Sequence, residues 1–294
     1  MPHQEGRMER GTRLAREAFS VIRHDRRLLM LPAATLLVDL VTLGVFLGIA
    51  ASVSDRDTAL WIALAAMFYP ATASSTFFNV ALVHIIHERW HGRPADIRDG
   101  LAAARRQLRP ILGWSLIAAT VGVALQLVQR LGPFGLVERL VAIVLSVGWG
   151  VATFFVVPAL ALEGVGPVTA FKRSAETVRR RWAEGTAGAV VIGASALIVL
   201  IPALIVGFVG VLAFASHPAT GIVALLIAAL LILPTLLYLN ATSTVFSLAV
   251  WEYANSGTAH GAFQADDLAQ PFVGGGGVAK TRRWLTARLP RRKG

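Results

Sequence analysis

Runs of twenty or more apolar residues recur along this chain, and the segments between them are dense in arginine. About 20 apolar residues in a helix, at ~1.5 Å each, cross the ~30 Å hydrocarbon core of a bilayer. The pattern therefore predicts an all-α, polytopic membrane protein. Charge content agrees: 15% of the 294 residues are charged, against about 25% in soluble domains. With 55% hydrophobic residues and a mean hydropathy of +0.62, a water-soluble surface cannot be covered. A soluble enzyme, a secreted disulfide scaffold and a disordered chain are excluded.

Six segments are long enough to span, near Leu28–Ala50, Leu60–His87, Pro110–Gln129, Leu140–Leu162, Thr186–Ser216 and Ala219–Trp251. The last two exceed the minimum, which predicts tilt, bending near Pro202 and Pro234, or extension beyond the bilayer. Ser216-His217-Pro218 forms the turn between them. Of the 28 Lys and Arg residues, 25 fall in residues 1–27, 89–109, 172–181 and 280–294, and three (Arg56, Arg130, Arg139) in the alternate connections. By the positive-inside rule both termini and both long loops are cytoplasmic, so the spans pair as three hairpins in a bacterial inner membrane. The same positives attract an anionic inner leaflet. Their division among four segments speaks against nucleic acid. Arginine outnumbers lysine 25 to 3, which fits a GC-rich bacterial genome. A 27-residue basic stretch before a span-length apolar run does not predict a cleaved signal peptide. Without cysteine, disulfides and thiolate metal sites are excluded. The organisation predicted is a cytoplasmic N-terminal segment (1–27), a six-helix membrane domain (28–262) and a Gly-linked basic tail (263–294), disordered or touching the inner leaflet.

The basic segments share a design. Ile97, Leu101, Ala104, Leu108 and Ile111 are spaced 4, 3, 4 and 3, and Val168, Phe171, Ala175, Val178 and Trp182 are spaced 3, 4, 3 and 4. Each set lines one face of a helix with arginines opposite. Leu14, Ala18, Val21 and Ile22 do the same less cleanly. Asp96 and Pro167 occupy N-cap and N1 positions. The even-numbered spans carry Thr76-Phe77-Phe78, Thr153-Phe154-Phe155 and Thr244-Val245-Phe246 ahead of Glu88, Glu163 and Glu252. These features predict a three-part internal repeat, each unit an amphipathic interfacial helix followed by a hairpin. Such helices either are hairpin cradles that fix the bundle or lie apolar face down in the headgroups, presenting Arg105, Arg106, Arg179, Arg180 and Arg181 to lipid or a partner.

Asp39 is the one formal charge deep in a span, with Thr35 and Thr42 at helical spacing. An ionised carboxylate there costs about 2.5–3.5 kcal/mol or more, so it is protonated, paired or wet. It serves proton or cation coupling, or hydrogen-bonds to another helix, with Asn79, Gln126 or His84 as candidate partners. Polar stripes run through Thr72, Thr76 and Asn79, through Asn240, Thr244 and Ser247, and through Ser115, Gly122, Gln126 and Gln129. Small-residue pairs Gly44/Gly48, Ser146/Gly150 and Ala203/Gly207 permit close backbone approach. His87-Glu88-Arg89-Trp90-His91 matches H-E-x-x-H, which on a helix puts two imidazoles one turn apart for zinc and a glutamate beside its water. His84 shares that face, and Glu163 or Glu252 is a candidate third ligand. Against a peptidase, Arg89 places charge inside the motif, and Gly92 and Pro94 end the helix at once. Interfacial His and Trp anchoring a helix end is the plainer role. No phosphate loop, dinucleotide fingerprint or nucleophile elbow occurs, and no cofactor is expected.

Phe77–Val83 (FFNVALV), Asp99–Leu108 (DGLAAARRQL), Trp114–Gly122 (WSLIAATVG), Phe154–Ser174 and Trp182-Ala183-Glu184 resemble a bacterial, mainly actinobacterial, integral-membrane family, a domain of unknown function. The resemblance covers roughly Arg7 to Trp251 and implies no activity. The layout is also similar to the membrane domain of some glycerophosphodiester phosphodiesterases, in architecture alone. A non-enzymatic membrane protein binding lipid or a partner protein through its basic cytoplasmic face is the function expected. A small-solute or ion transporter using Asp39 is the alternative, and an intramembrane zinc peptidase the third.

Overall fold

The apolar runs fold as helices wherever the computed structural model describes them, over residues 7–53, 55–131, 136–181, 187–214, 216–261 and 263. A surface helix α1 (Arg7–His24) leads through a 3-10 turn (Arg26–Leu29) into the hairpin of α2 (Met30–Ala51) and α3 (Arg56–Trp90). The short α4 (Ile97–Arg106) precedes α5 (Leu108–Leu131), α6 (Leu136–Thr153) and α7 (Val156–Glu163). Then α8 (Pro167–Arg181) precedes the hairpin of α9 (Ala187–Phe214) and α10 (Pro218–Ser256). The order surface helix then hairpin occurs three times. Among the described residues, six helical stretches are long and apolar enough to cross a membrane, with α6 and α7 together forming the fourth. The tail after Phe263 lies outside the described residues.

Local chemistry sets the ends. Asp55 accepts from the Thr58 N–H at the start of α3. Asp96 and Asp99 exchange side-chain and backbone bonds as a capping box on α4. Pro218 opens α10 at a position where its missing N–H costs nothing. Gly257 ends α10 at φ 73°, the left-handed turn that glycine adopts without penalty.

The fourth span is not the single helix that its hydropathy predicts. Pro158 has no N–H for the carbonyl of Phe154, and its ring crowds that carbonyl. The helix breaks there, between Thr153 and Val156. Ser174 of α8 fills the break: its Oγ accepts from the Phe155 N–H (3.0 Å) and donates to the Ala152 carbonyl (2.7 Å). Backbone groups freed inside a bilayer need such a partner. By contrast α9 and α10 run on through Pro202 and Pro234.

The core lies toward one end. It gathers Val80–Ile86 of α3, Phe155–Leu160 around the break and Ala241–Trp251 of α10, with Ala18 and Ile22 of α1, Ala104 of α4, Ile111 and Trp114. The N-terminal segment is thus packed into the bundle, where α1 contacts α9 and α10. Further along, α2, α6, α9 and the first half of α10 leave large apolar side chains exposed, among them Val144, Ile198 and Leu230. At 39 residues, α10 is about 58 Å long at ~1.5 Å per residue, so it extends past the hydrocarbon. Of the small-residue pairs, Ala203/Gly207 does meet a neighbour: Ala203 is fully buried and a Cβ on Gly207 would touch Ala228. Gly44, Gly48 and Gly150 have nothing within 4 Å and make no close crossing.

Candidate functional site

Three cross-links hold together the helix ends that carry the basic segments. Arg89 at the end of α3 donates to Asp25 before α2 (2.7 Å). Partial burial raises the Asp25 pKa, but the Arg89 bond, the Arg27 N–H and both guanidinium charges outweigh it and hold the carboxyl below its usual range. His87 of α3 meets Glu252 of α10 (2.5 Å). Gln107 before α5 donates to the Ala161 carbonyl of α7 (3.3 Å).

On this end the surface helices press the small residues of their apolar faces onto protein, while Val168 of α8 stays exposed. Gly100 and Ala104 of α4 press on α3 so closely that a Cβ on Gly100 would stand 2.7 Å from the Ala81 carbonyl oxygen and from Ile85. Ala170 and Ser174 of α8 are fully buried, and Phe171 stacks on Trp149 (5.5 Å between centroids) and Trp114 (6.3 Å). Each surface helix packs on a hairpin other than the one it leads into: α4 on α3, α8 on α5, α6 and α7, and α1 on α9 and α10. What faces outward is cationic. Arg98, Arg105, Arg106 and Arg109 are exposed around α4, and Lys172, Arg173 and Arg179 on α8. Among the described residues neither Arg105 nor Arg106 is paired with a carboxylate. The side chains of Arg180 and Arg181, like Trp182, lie outside the described residues.

The H-E-x-x-H segment closes α3, and its three polar groups part company. His87 and His91 face each other one turn apart (centroids 4.3 Å). Glu88 is instead gripped by both Arg93 Nε and Arg93 Nη2, so it is not the base beside the histidines. The carboxylate that joins them is Glu252, only 6% exposed. Donor atoms of His87, His91 and Glu252 lie within 4.8 Å of one another. Glu163 is elsewhere, beside Arg173 at 3.5 Å, and is removed from the candidate ligands. A fourth member escaped the sequence reading. After the Gly257 turn the chain folds back, and His260 Nδ1 comes 2.8 Å from Glu252 Oε2, with its ring 4.8 Å from that of His91. Gly261, at φ 67°, makes this return possible, because a Cβ there would lie 2.8 Å from Trp90 Nε1. The only hint in sequence was a histidine between two glycines just past the last span.

Within the membrane, Asp39 accepts from Ser74 Oγ at 2.6 Å; Asn79, Gln126 and His84 are not its partner. The polar stripes meet one another: Thr244 donates to Asn79 Oδ1 (3.3 Å) and Thr72 to the Ser115 carbonyl (3.2 Å). Asn240 supplies the carbonyl that Thr244 also reaches (2.9 Å). Gln126 is exposed on the third span, and Gln129 has its side chain outside the described residues. A cavity of about 430 Å³ opens between α3, α5, α6 and α7, lined by Phe68, Thr72, Thr76, Trp114, Trp149 and Thr153 among others, without Asp39. Thr72, Thr76 and Thr153 all donate to backbone carbonyls of their own helices.

A family model described as a family of unknown function (DUF6159) matches residues 58–262, more than two thirds of the chain. No curated protein and no solved structure matches.

Proposed function

The chain belongs to DUF6159, a family without an assigned activity, and from that premise we propose that it is a non-enzymatic, multi-pass protein of a bacterial inner membrane whose basic cytoplasmic face binds anionic lipid. The exposed cations of α4 and α8 carry this reading. Because α4 is seated on the bundle through Gly100 and Ala104 and α8 through Ala170 and Ser174, Arg105, Arg106 and Arg179 are held at a fixed height near the span ends, where headgroup phosphates would lie. Cations close to an anionic leaflet each contribute about 1 kcal/mol, and salt screens them. The diversion of Glu88 to Arg93 speaks against the peptidase. Asp39, bonded to Ser74 and absent from the cavity lining, speaks against cation coupling.

The test is native mass spectrometry of the full chain in mild detergent, titrated with phosphatidylglycerol against phosphatidylcholine. Wild type retains phosphatidylglycerol preferentially. The triple variant Arg105→Gln, Arg106→Gln, Arg179→Gln binds it on the order of a hundredfold more weakly, about 1 kcal/mol for each cation lost. Equal retention of both lipids by the wild type sinks the proposal. A co-purifying polypeptide released by the same variant would replace lipid with a protein partner.

A further inference from the structure

We propose that His87, His91, His260 and Glu252 form a binding site for one divalent transition-metal ion of the zinc class, which fastens the last turn of α3 to the end of α10 and its return loop. The proposal stands apart from lipid binding and uses none of the surface cations.

The donor set comes first. Three imidazoles and one carboxylate suit zinc and its neighbours rather than magnesium or calcium, which take oxygen ligands. His91 Nδ1 lies 2.8 Å from the His87 carbonyl. A carbonyl only accepts, so Nδ1 carries the proton and Nε2 is left as the ligating atom, the usual way a backbone group sets the tautomer of a metal-binding histidine. Donors of a tetrahedral zinc lie about 3.3 Å apart, given bonds of about 2.0–2.1 Å. The three-residue set already falls within 4.8 Å, so side-chain movements of about an ångström close it.

Glu252 Oε2 and His260 Nδ1 are buried and, although 2.8 Å apart, are not aligned for a hydrogen bond. Buried polar atoms without a partner are uncommon and costly. Two of them converging at one point, at the rim of the same pair of histidines, are what a shared cation would satisfy. The chain also spends unusual geometry to bring His260 there, with the left-handed Gly257 and Gly261 and the Trp90 ring stacked on the imidazole (6.4 Å, 9°). Four protein donors leave no open position for water, and Glu88 is held by Arg93, so the ion is structural and not hydrolytic.

The full chain, stripped with chelator in mild detergent, is titrated with Zn²⁺ beside His91→Ala, His260→Ala and Glu88→Gln. His91 and Glu88 reach the surface, so those variants keep the fold, which circular dichroism checks. One zinc per wild-type chain is expected. Affinity should fall at least on the order of a hundredfold in His91→Ala and His260→Ala, beyond the ~10–100-fold typical of outer-shell losses, and be unchanged in Glu88→Gln. X-ray absorption should show about three imidazoles. A wild type that takes up no more zinc than His91→Ala overturns the site and leaves only an ion pair between Glu252 and its histidines. Loss of zinc in Glu88→Gln equal to that in His91→Ala, or retention in His260→Ala, overturns the ligand assignment.

Discussion

Ser174 shows how one hydroxyl settles the course of a span. Pro158 removes a backbone bond, and Ser174 answers from a helix that arrives 16 residues later in sequence, bonding the Phe155 N–H and the Ala152 carbonyl. Ser174→Ala orphans both buried groups and should cost about 1–3 kcal/mol, read as an earlier unfolding midpoint in mixed micelles. Ser174→Thr, which keeps the hydroxyl, should recover part of it. The proline was visible in sequence, but the break was not, because a uniformly apolar run has no periodicity to interrupt. His260 stayed hidden for a related reason: it lies beyond the last span, with no helical register linking it to His87 and His91. Glu252 was legible, since Thr244-Val245-Phe246 precedes it as Thr76-Phe77-Phe78 precedes Glu88, which places both glutamates at matching helix ends. The structure separates their roles by partner: Arg93 takes Glu88, Arg173 sits by Glu163, and Glu252 turns inward to imidazoles.

Among the elements, α4 is short and strongly amphipathic, and its docking depends on a missing side chain. Gly100 meets the backbone of Ala81 and the tip of Ile85. Gly100→Ala would raise intrinsic helix propensity by about 1 kcal/mol, yet the added methyl forces α4 off α3, at about 1–3 kcal/mol for overpacking. The expected net result is a lower thermal midpoint together with faster amide exchange confined to residues 97–106. An unchanged midpoint would mean that α4 is not seated. The spacing of Ile97, Leu101 and Ala104 places α4, and that of Val168, Phe171, Ala175 and Val178 places α8. Leu108 and Ile111, expected to continue the first stripe, instead belong to α5 beyond the Gln107 cap. Which surface received their apolar faces was not in the pattern, because periodicity reports that a stripe is buried and says nothing of whether lipid or protein covers it.

For the whole molecule, alternation of basic and neutral connections predicts one face for every basic segment, and Arg89–Asp25, His87–Glu252 and Gln107–Ala161 bring those ends together. The chain has no cysteine, so single cysteines report sidedness without background. Ser52→Cys, between α2 and α3, should react with an impermeant maleimide in intact cells. Ser256→Cys, at the end of α10, should react only after the membrane is opened, and the reverse pattern would invert the topology.

The burial of α1 against the last hairpin also has a consequence in time. Ala18 and Ile22 are buried on α1, yet α9 and α10, against which α1 packs, are made more than 160 residues later. At about 5–20 residues per second, synthesis of the intervening chain takes on the order of ten seconds or more. Throughout that interval α1 is an amphipathic helix without its binding face. It must wait on the membrane surface or in the hands of a chaperone, and the core closes as a ring only once α9 and α10 have been made.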